Sequence, residues 1–481
     1  MKIAAVIAEY NPFHNGHAYQ LRRIKEDYGY DFVIVVMSGD FTQRGEPAIA
    51  DKYVRTRMAL LGGADLVIEL PAYYACASAE YFATGAVSLI HGLGCVDALF
   101  FGSESEDTDS SAPMPPSLLL HAAEILLEEP PVYRKTLTDS LKRGRGYAAA
   151  RMDALTAALR ENTLSSTLSL PNNTLGIEYC KAILRMNSPL KPFAIKRIGG
   201  GYHDVNTADT YASAEAIRAL LFRRVDRNAC SVKEASSPSP AATNLLSVER
   251  MHSASSAEYE QDIFSDNDAL STLGPHPTAA QDILSAKDAL SMLVPHTTAQ
   301  VLDELSRDNR LLTQNDFSEL LHYQLLLHES ALERYADCTP ELANRIRSLL
   351  PSLLDKNMTD MIETIKTRSY TYTRINRVLT HLLLNMTADT LSTLTDKRMP
   401  AFLTHARILG FRKEACGSLL SAVKESARIP LITKPSDYHP TGAAEALYAA
   451  DLLASHIYQS VVAKKSAQAF RHELTRSPLI V

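Results

Sequence analysis

The chain has 481 residues, 46% hydrophobic and 22% charged, with a formal net charge of −6. That balance suits a soluble globular protein of two or three domains; it excludes a uniformly basic nucleic-acid coat and leaves room for a local basic patch. Its six cysteines (Cys76, Cys95, Cys180, Cys230, Cys338 and Cys416) form no CxxC pair, and no apolar run reaches a membrane span, so reduced thiols in a cytoplasmic protein are expected.

In chain order, Lys2–Ala8 reads as a buried strand, and His17 to Glu26 reads as a helix. Asp31–Met37 is a second strand closed by Ser38-Gly39-Asp40, followed by a helix from Lys52 to Leu61. Asp65–Leu70 is a third strand, Ala77 to His91 a helix, and Asp97–Phe101 a fourth strand ending in Gly102-Ser103-Glu104. Short apolar strands separated by helices predict a parallel sheet covered on both faces, with ligands at the carboxyl ends of the strands. Pro115 to Asn162 reads as helical and partly basic (Arg134, Lys135, Lys142, Arg143, Arg145, Arg151). Leu170 to Gly176 forms a capped turn into a helix, Pro192–Arg197 is a further strand before Gly199-Gly200-Gly201, and Ser213 is an N-cap for the next helix.

Between about Asn228 and Gln300 the composition shifts to Ser, Ala, Pro, Thr and Asp, and Gln261-Asp262-Ile263 recurs at Gln281-Asp282-Ile283 with a 20-residue period. Two copies are too few for a solenoid, so this reads as a flexible or partly helical spacer. From about Val301 the pattern is nearly all helical. In it, Lys366 to Arg377 interleaves cations and tyrosines, and a second such feature spans Arg407 to Lys413. Three domains are therefore expected: 1–227 α/β and catalytic, 228–300 a duplicated insertion, and 301–481 helical.

The chemistry concentrates at Ala8-Glu9-Tyr10-Asn11-Pro12-Phe13-His14-Asn15-Gly16-His17, where a strand empties through a turn into a helix N-terminus. Unpaired amides and the helix dipole favour an anion there, and two imidazoles can donate to phosphate oxygens as charge develops. No third ligand of suitable spacing accompanies the histidines, so no metal site is expected. Arg44 and Lys52 read either as phosphate or RNA contacts or as solvated surface charges. In Lys366–Arg377, cations could neutralise backbone phosphate and tyrosines could stack on unpaired bases.

The string Tyr10 to His17 resembles the HxGH signature of the nucleotidylyltransferase superfamily. With Val36-Met37-Ser38-Gly39-Asp40-Phe41, Gln43-Arg44-Gly45-Glu46-Pro47-Ala48, Asp65-Leu66-Val67-Ile68-Glu69-Leu70-Pro71 and Phe100-Phe101-Gly102-Ser103-Glu104, it resembles the tRNA(Met) cytidine acetate ligase family. Pro171-Asn172-Asn173-Thr174-Leu175-Gly176, Arg197, Tyr202-His203-Asp204, Arg374 and Leu409-Gly410-Phe411 continue the likeness. The resemblance implies a Rossmann-like sheet of the HxGH type followed by a mostly helical domain. It implies a ligase that makes acetyl-adenylate from acetate and ATP, releases pyrophosphate, and acetylates the N4 amine of the wobble cytidine of elongator tRNA(Met). By position, His14 and His17 would be catalytic. Ile7-Ala8-Glu9-Tyr10-Asn11-Pro12-Phe13-His14-Asn15-Gly16-His17-Ala18-Tyr19-Gln20, Gly102, Asn172, Asn173 and Arg197 would bind ATP. Lys366, Arg368, Arg374 and Arg377 are the tRNA candidates. Magnesium could accompany ATP without being read from the residues; neither DNA nor membrane is implied, and nothing marks an oligomeric state.

Two positions depart from the superfamily pattern: Asn11 replaces a common Asp, and Glu215 stands where Thr is common, a carboxylate that would repel triphosphate unless a metal or Arg218 offsets it. Ser213 and Arg218 are carried only as secondary candidates. Two other functions fit the motif, an adenylyltransferase acting on a small phosphorylated acceptor and a non-catalytic RNA-binding protein.

Overall fold

In the computed structural model, described over residues 1–104, 115–160, 165–197, 211–222, 289–394, 405–415 and 417–481, the apolar runs of the first half pair side by side. The strands are β1 (Ile3–Ala8), β2 (Phe32–Ser38), β3 (Leu66–Leu70), β4 (Ala98–Ser103) and β5 (Lys191–Lys196). All four pairings among them are parallel, and Val33 to Met37 and Leu66 to Ile68 are fully buried. Burial on both faces is why these segments are unbroken Val/Ile/Leu runs without an alternating pattern. The order is β5-β4-β1-β2-β3, so the winding direction reverses between β1 and β4. A crevice at such a reversal is where open α/β sheets bind ligands. The 8–17 string leaves the end of β1 there, and Gly102-Ser103-Glu104 leaves the end of β4.

The sheet continues into the last third of the chain. Arg407 to Lys413, expected within a helical region, supplies β6 (Ala406–Phe411), antiparallel to β3 and followed by β7 (Leu431–Ile432) and β8 (Leu479–Ile480). Tertiary context decides this: β3 offers an open edge. Gly410 lets the chain pass close to Leu479, whose carbonyl oxygen would lie 2.9 Å from a Cβ at that position. The rest of the C-terminal part is helical, as expected. Helices Ser318–His328, Pro340–Leu353, Met358–Ile365 and Tyr372–Leu383 share a core of Leu321, Leu325, Leu342, Ile346, Met361, Ile375 and Leu379. One compact unit takes in Met1–Arg218 and Ser291–Val481; the other is Ala219–Leu290. The duplicated segment lies almost wholly outside the described residues. Residues 291–300, at its end, belong to the first unit, with Leu293 and Val294 buried.

Charge, as well as apolar area, ties the late strand to the sheet. Lys52, at the start of helix α2 (Lys52–Leu61), is fully buried and is neither a surface charge nor a phosphate contact. Its Nζ lies 2.6 Å from Glu69 Oε1 on β3, 2.8 Å from Glu473 Oε1 and 2.7 Å from Ser455 Oγ. Arg407 on β6 meets Glu473 at 2.7 Å, Glu69 at 3.5 Å and the Tyr53 hydroxyl at 2.6 Å. It is therefore not available to RNA. Burial alone would raise the Glu473 carboxyl, but the Lys52 ammonium and Arg407 guanidinium bring it down to about 2. Gly39 makes room for this group, since a Cβ there would sit 2.6 Å from Glu69 Oε1.

Removing one member of a buried ionic set leaves its partners desolvated and unpaired, which costs about 3–5 kcal/mol. Lys52→Met should lower unfolding free energy by that amount in urea titration. A loss below about 1 kcal/mol, the range of exposed pairs, would contradict a structural role for the cluster.

Candidate functional site

The turn after β1 is built by its own histidines. Tyr10 takes a left-handed conformation (φ +48°), and the Asn11–Pro12 bond is cis. His14 then caps helix α1 (Asn15–Glu26): its Nδ1 accepts the Gly16 amide at 3.1 Å, while His17 Nδ1 accepts the His14 amide at 3.2 Å. This is a reciprocal capping box with imidazoles in place of the usual Ser and Glu. Gly16 fits because the His14 ring lies over it, 3.0 Å from where a Cβ would stand. The two rings stack at 3.6 Å between centroids. With both Nδ1 atoms accepting from amides, the tautomer follows, and Nε2–H is the donating group of each ring. Burial, with the Arg197 guanidinium as a second cause, pushes His14 down to about 3; burial, His14 and Arg197 hold His17 well below its ordinary value. Both rings are neutral donors near pH 7.

They open onto a cleft of about 420 Å³ at the sheet reversal, a size suited to a small-molecule ligand. Of the residues assigned to the nucleotide, Ile7, Ala8, Glu9, Tyr10, Asn11, His14, Gly16, His17, Tyr19, Gln20, Gly102, Asn172 and Arg197 line it. Pro12, Phe13, Asn15, Ala18 and Asn173 are not among the lining residues. Phe13 is fully buried against Gly62, and Asn15 donates to the Met292 carbonyl at 2.7 Å. Asn173, also fully buried, donates to the carbonyls of Glu104 and Thr167 and accepts the Glu104 amide, so it secures the strand end instead of facing the cleft. Glu104 organises this wall: its Oε1 receives Asn172 Nδ2 at 2.7 Å and Arg197 Nη1 at 3.2 Å. Gly102 lets the Arg197 stem pass, with Cγ 3.2 Å from a hypothetical Cβ.

Asn11 is not a weakened Asp. Its Oδ1 accepts the Ile49 amide at 2.8 Å, and its carbonyl receives Arg218 Nη1 at 2.9 Å. Ser213 Oγ accepts the Ala216 amide, so the expected N-cap is formed, and Ser213 and Arg218 both line the cleft. Glu215 is 3.9 Å from Arg44, and Arg218 faces Glu46 at 3.7 Å. Arg44 therefore offsets the Glu215 carboxylate, the part expected of a metal or Arg218. Gln43, Arg44, Glu46, Tyr179, Lys196 and Tyr211 also line the cleft. Sequence reasoning missed most of them, although the string Gln43 to Glu46 follows directly after β2. The Glu9 carboxyl is raised by burial, partly opposed by the Gln43 amide and by Arg44 and Arg218. Gly199 to Gly201 and Tyr202-His203-Asp204 lie outside the described residues.

The basic candidates divide. Lys366 and Arg368 are exposed, Lys366 lies 3.4 Å from Glu363, and Arg374 stands 5.2 Å over the Tyr370 ring. Arg377 is largely covered, pairs with Asp337 at 3.4 Å, and presses its backbone onto Gly45. In the 142–151 cluster, Arg145 pairs with Asp153 and Arg151 with buried Glu178. Among the described residues no group of three or more His, Cys, Asp or Glu forms a metal site, and no helix is long and apolar enough to cross a membrane.

A family model described as HIGH Nucleotidyl Transferase matches residues 1–265 and 277–473. The tRNA(Met) cytidine acetate ligase of Clostridium kluyveri is 33% identical over 488 residues, covering 100% of this chain and 99% of that protein. The enzyme of the same name from Thermoanaerobacter sp. strain X514 is 34% identical over 458 residues, 95% of each chain. Thermotoga maritima TmcAL bound with alpha-thio ATP has a similar fold, with a TM-score of 0.75, 24% identity and coverage of 100% of this chain and 99% of that one.

The folded His14 titrates near 3 while the unfolded chain takes up a proton near 6.5, so this group's share of stability is complete above pH 6.5 and falls as pH drops toward 3. The difference in unfolding free energy between wild type and His14→Gln should therefore shrink by about 1.4 kcal/mol per pH unit below 6.5. A pH-independent difference would mean that His14 is not held neutral.

Proposed function

The chain belongs to the tRNA(Met) cytidine acetate ligases within the HIGH nucleotidyl transferase family, and on that premise we propose that it activates acetate with ATP and passes the acetyl group to the N4 amine of a tRNA wobble cytidine. The observation that carries the adenylating step is the pair of neutral, stacked imidazoles at the sheet reversal, each with its Nδ1 held by a backbone amide and its Nε2–H left to donate.

ATP lies in the cleft along Ile7 to Asn11, His14, Gly16, His17, Tyr19, Gln20, Gly102, Asn172 and Arg197. An acetate oxygen bonds to the α-phosphorus as the bond to the pyrophosphate oxygen breaks. His14 and His17 donate Nε2–H to phosphate oxygens whose charge grows in the transition state, and Arg197 adds a fixed positive charge beside them. Lys196 lines the same cleft and offsets remaining phosphate charge, while Arg44 and Arg218 keep the cleft-wall carboxylates of Glu215 and Glu46 from repelling it. No protein nucleophile is required, because positioning and charge compensation suffice for in-line displacement. In the second step the cytidine amine attacks the acetyl carbonyl, AMP departs, and the amine loses a proton. The tRNA arrives on the exposed cations Lys366 and Arg368 and the half-buried Arg374, with Tyr370 beside Arg374 for stacking. Arg377 supports the helix from inside.

Loss of one preorganised donor costs about 10²–10³ in rate. His14→Ala and His17→Ala should each lower acetate-dependent ATP–pyrophosphate exchange by that factor while tRNA affinity holds; equal loss of both would make the turn merely structural. AMP appearing on a small phosphorylated acceptor, with no acetylated cytidine, would favour the other adenylyltransferase reading.

Replacing Lys366, Arg368 and Arg374 together with Ala should weaken tRNA binding and reduce the slope of log K against log salt by about 2–3. An unchanged slope would place the RNA elsewhere.

A further inference from the structure

Helix Tyr372–Leu383 carries polar side chains on a face that is otherwise apolar core. Asn376 and Thr380 are both fully buried. Leu or Val would fill the same space with no desolvated polar atom, so the polar choice needs a reason. Each spends its donor on one loop: Asn376 Nδ2 reaches the Arg44 carbonyl at 2.9 Å, and Thr380 Oγ1 reaches the Gly45 carbonyl at 2.5 Å. This loop is a wall of the cleft through Thr42, Gln43, Arg44 and Glu46. Its Gln43 amide in turn donates to Glu9 Oε1 at 2.8 Å, inside the cleft. Gly45 has φ +78°, and a Cβ there would stand 2.7 Å from the Arg377 backbone, so loop and helix touch with no slack.

We propose that Asn376 and Thr380 are positioning residues for the adenylation step, setting the 42–46 wall and, through the Gln43 amide, the Glu9 carboxylate against the reactants. The helix that presents Arg374 to solvent is then also part of the frame of the nucleotide cleft. Neither side chain touches a reactant; both act through two backbone carbonyls. Displacing a positioned wall by a fraction of an ångström to one ångström costs up to about a hundredfold in rate.

The proposal rests on the adenylating reading of the cleft. The test uses the full-length protein in acetate-dependent ATP–pyrophosphate exchange without tRNA, with melting temperature and tRNA dissociation constant measured alongside. Asn376→Ala and Thr380→Val should each lower kcat/KM by roughly tenfold or more, with the melting temperature lowered by only a few degrees and still above the assay temperature, and tRNA affinity close to wild type. Thr380→Ser keeps the hydroxyl and should restore the rate. Gly45→Ala, which pushes the loop off the helix, should reproduce the loss. Exchange at wild-type level in Asn376→Ala and Thr380→Val overturns the proposal alone. So does a rate loss that tracks melting temperature with Ser no better than Val. Absence of acetate-dependent exchange in the wild type instead removes the adenylating reading, and this proposal with it.

Discussion

Charges cannot be taken out of water unless they are paired, and here four of them are taken out together. Lys52, Glu69, Arg407 and Glu473 are each under 5% exposed, come from opposite ends of the sequence, and meet at one point beside β3. Each half brings one cation and one anion, but neither alone makes all the contacts: without the other half, the second Glu69 oxygen would lack Arg407 and Glu473 would lack Lys52. The sheet is therefore complete only when residues 406–480 have docked. Many α/β proteins end such a sheet with an exposed edge; here β3 is covered by β6, and the pairing is locked by ions.

The same reach across the sequence shapes the site. Arg55 of α2 is fully buried and donates only to backbone carbonyls, those of Glu9, Ser38, Gly39 and Ala50. It binds the chain leaving the carboxyl ends of β1 and β2 into one rim. His381, on the helix that carries Asn376, sits with its ring nitrogens 2.8 Å from the carbonyls of Cys76 and Ala336. Arg55 and Asn376 thus hold cleft-lining backbone from outside, through the Glu9 and Arg44 carbonyls, without lining the cleft themselves.

What the sequence disclosed follows from locality. The inner strands β1, β2 and β4 announced themselves because burial on both faces favours near-continuous apolar runs, whereas β5, at the sheet edge, is only partly buried and keeps a lysine at each end. The HxGH turn was legible because a capping box is contained in four consecutive residues. Long-range choices were hidden. Nothing in Arg407 to Lys413 says that β3 has an open edge 340 residues earlier in the chain, as the Ile68–Ile408 pairing shows. Lys52 reads as a phosphate or RNA contact or a surface charge, and Arg407 as one cation of an interleaved set, because the carboxylates that permit their burial lie elsewhere in the sequence. Asn172 and Asn173 are adjacent and identical in type, yet one faces the cleft and the other ties down a strand end; only the position of Glu104 distinguishes them.

The imidazoles of α1 have a consequence for how this motif travels through evolution. Because His14 and His17 cap a helix with one ring atom and address the cleft with another, a descendant that abandoned the chemistry would still be penalised for losing either ring. The string would persist in such a lineage as a fossil of folding. Its presence in a genome is accordingly evidence that the turn folds before it is evidence that the enzyme works.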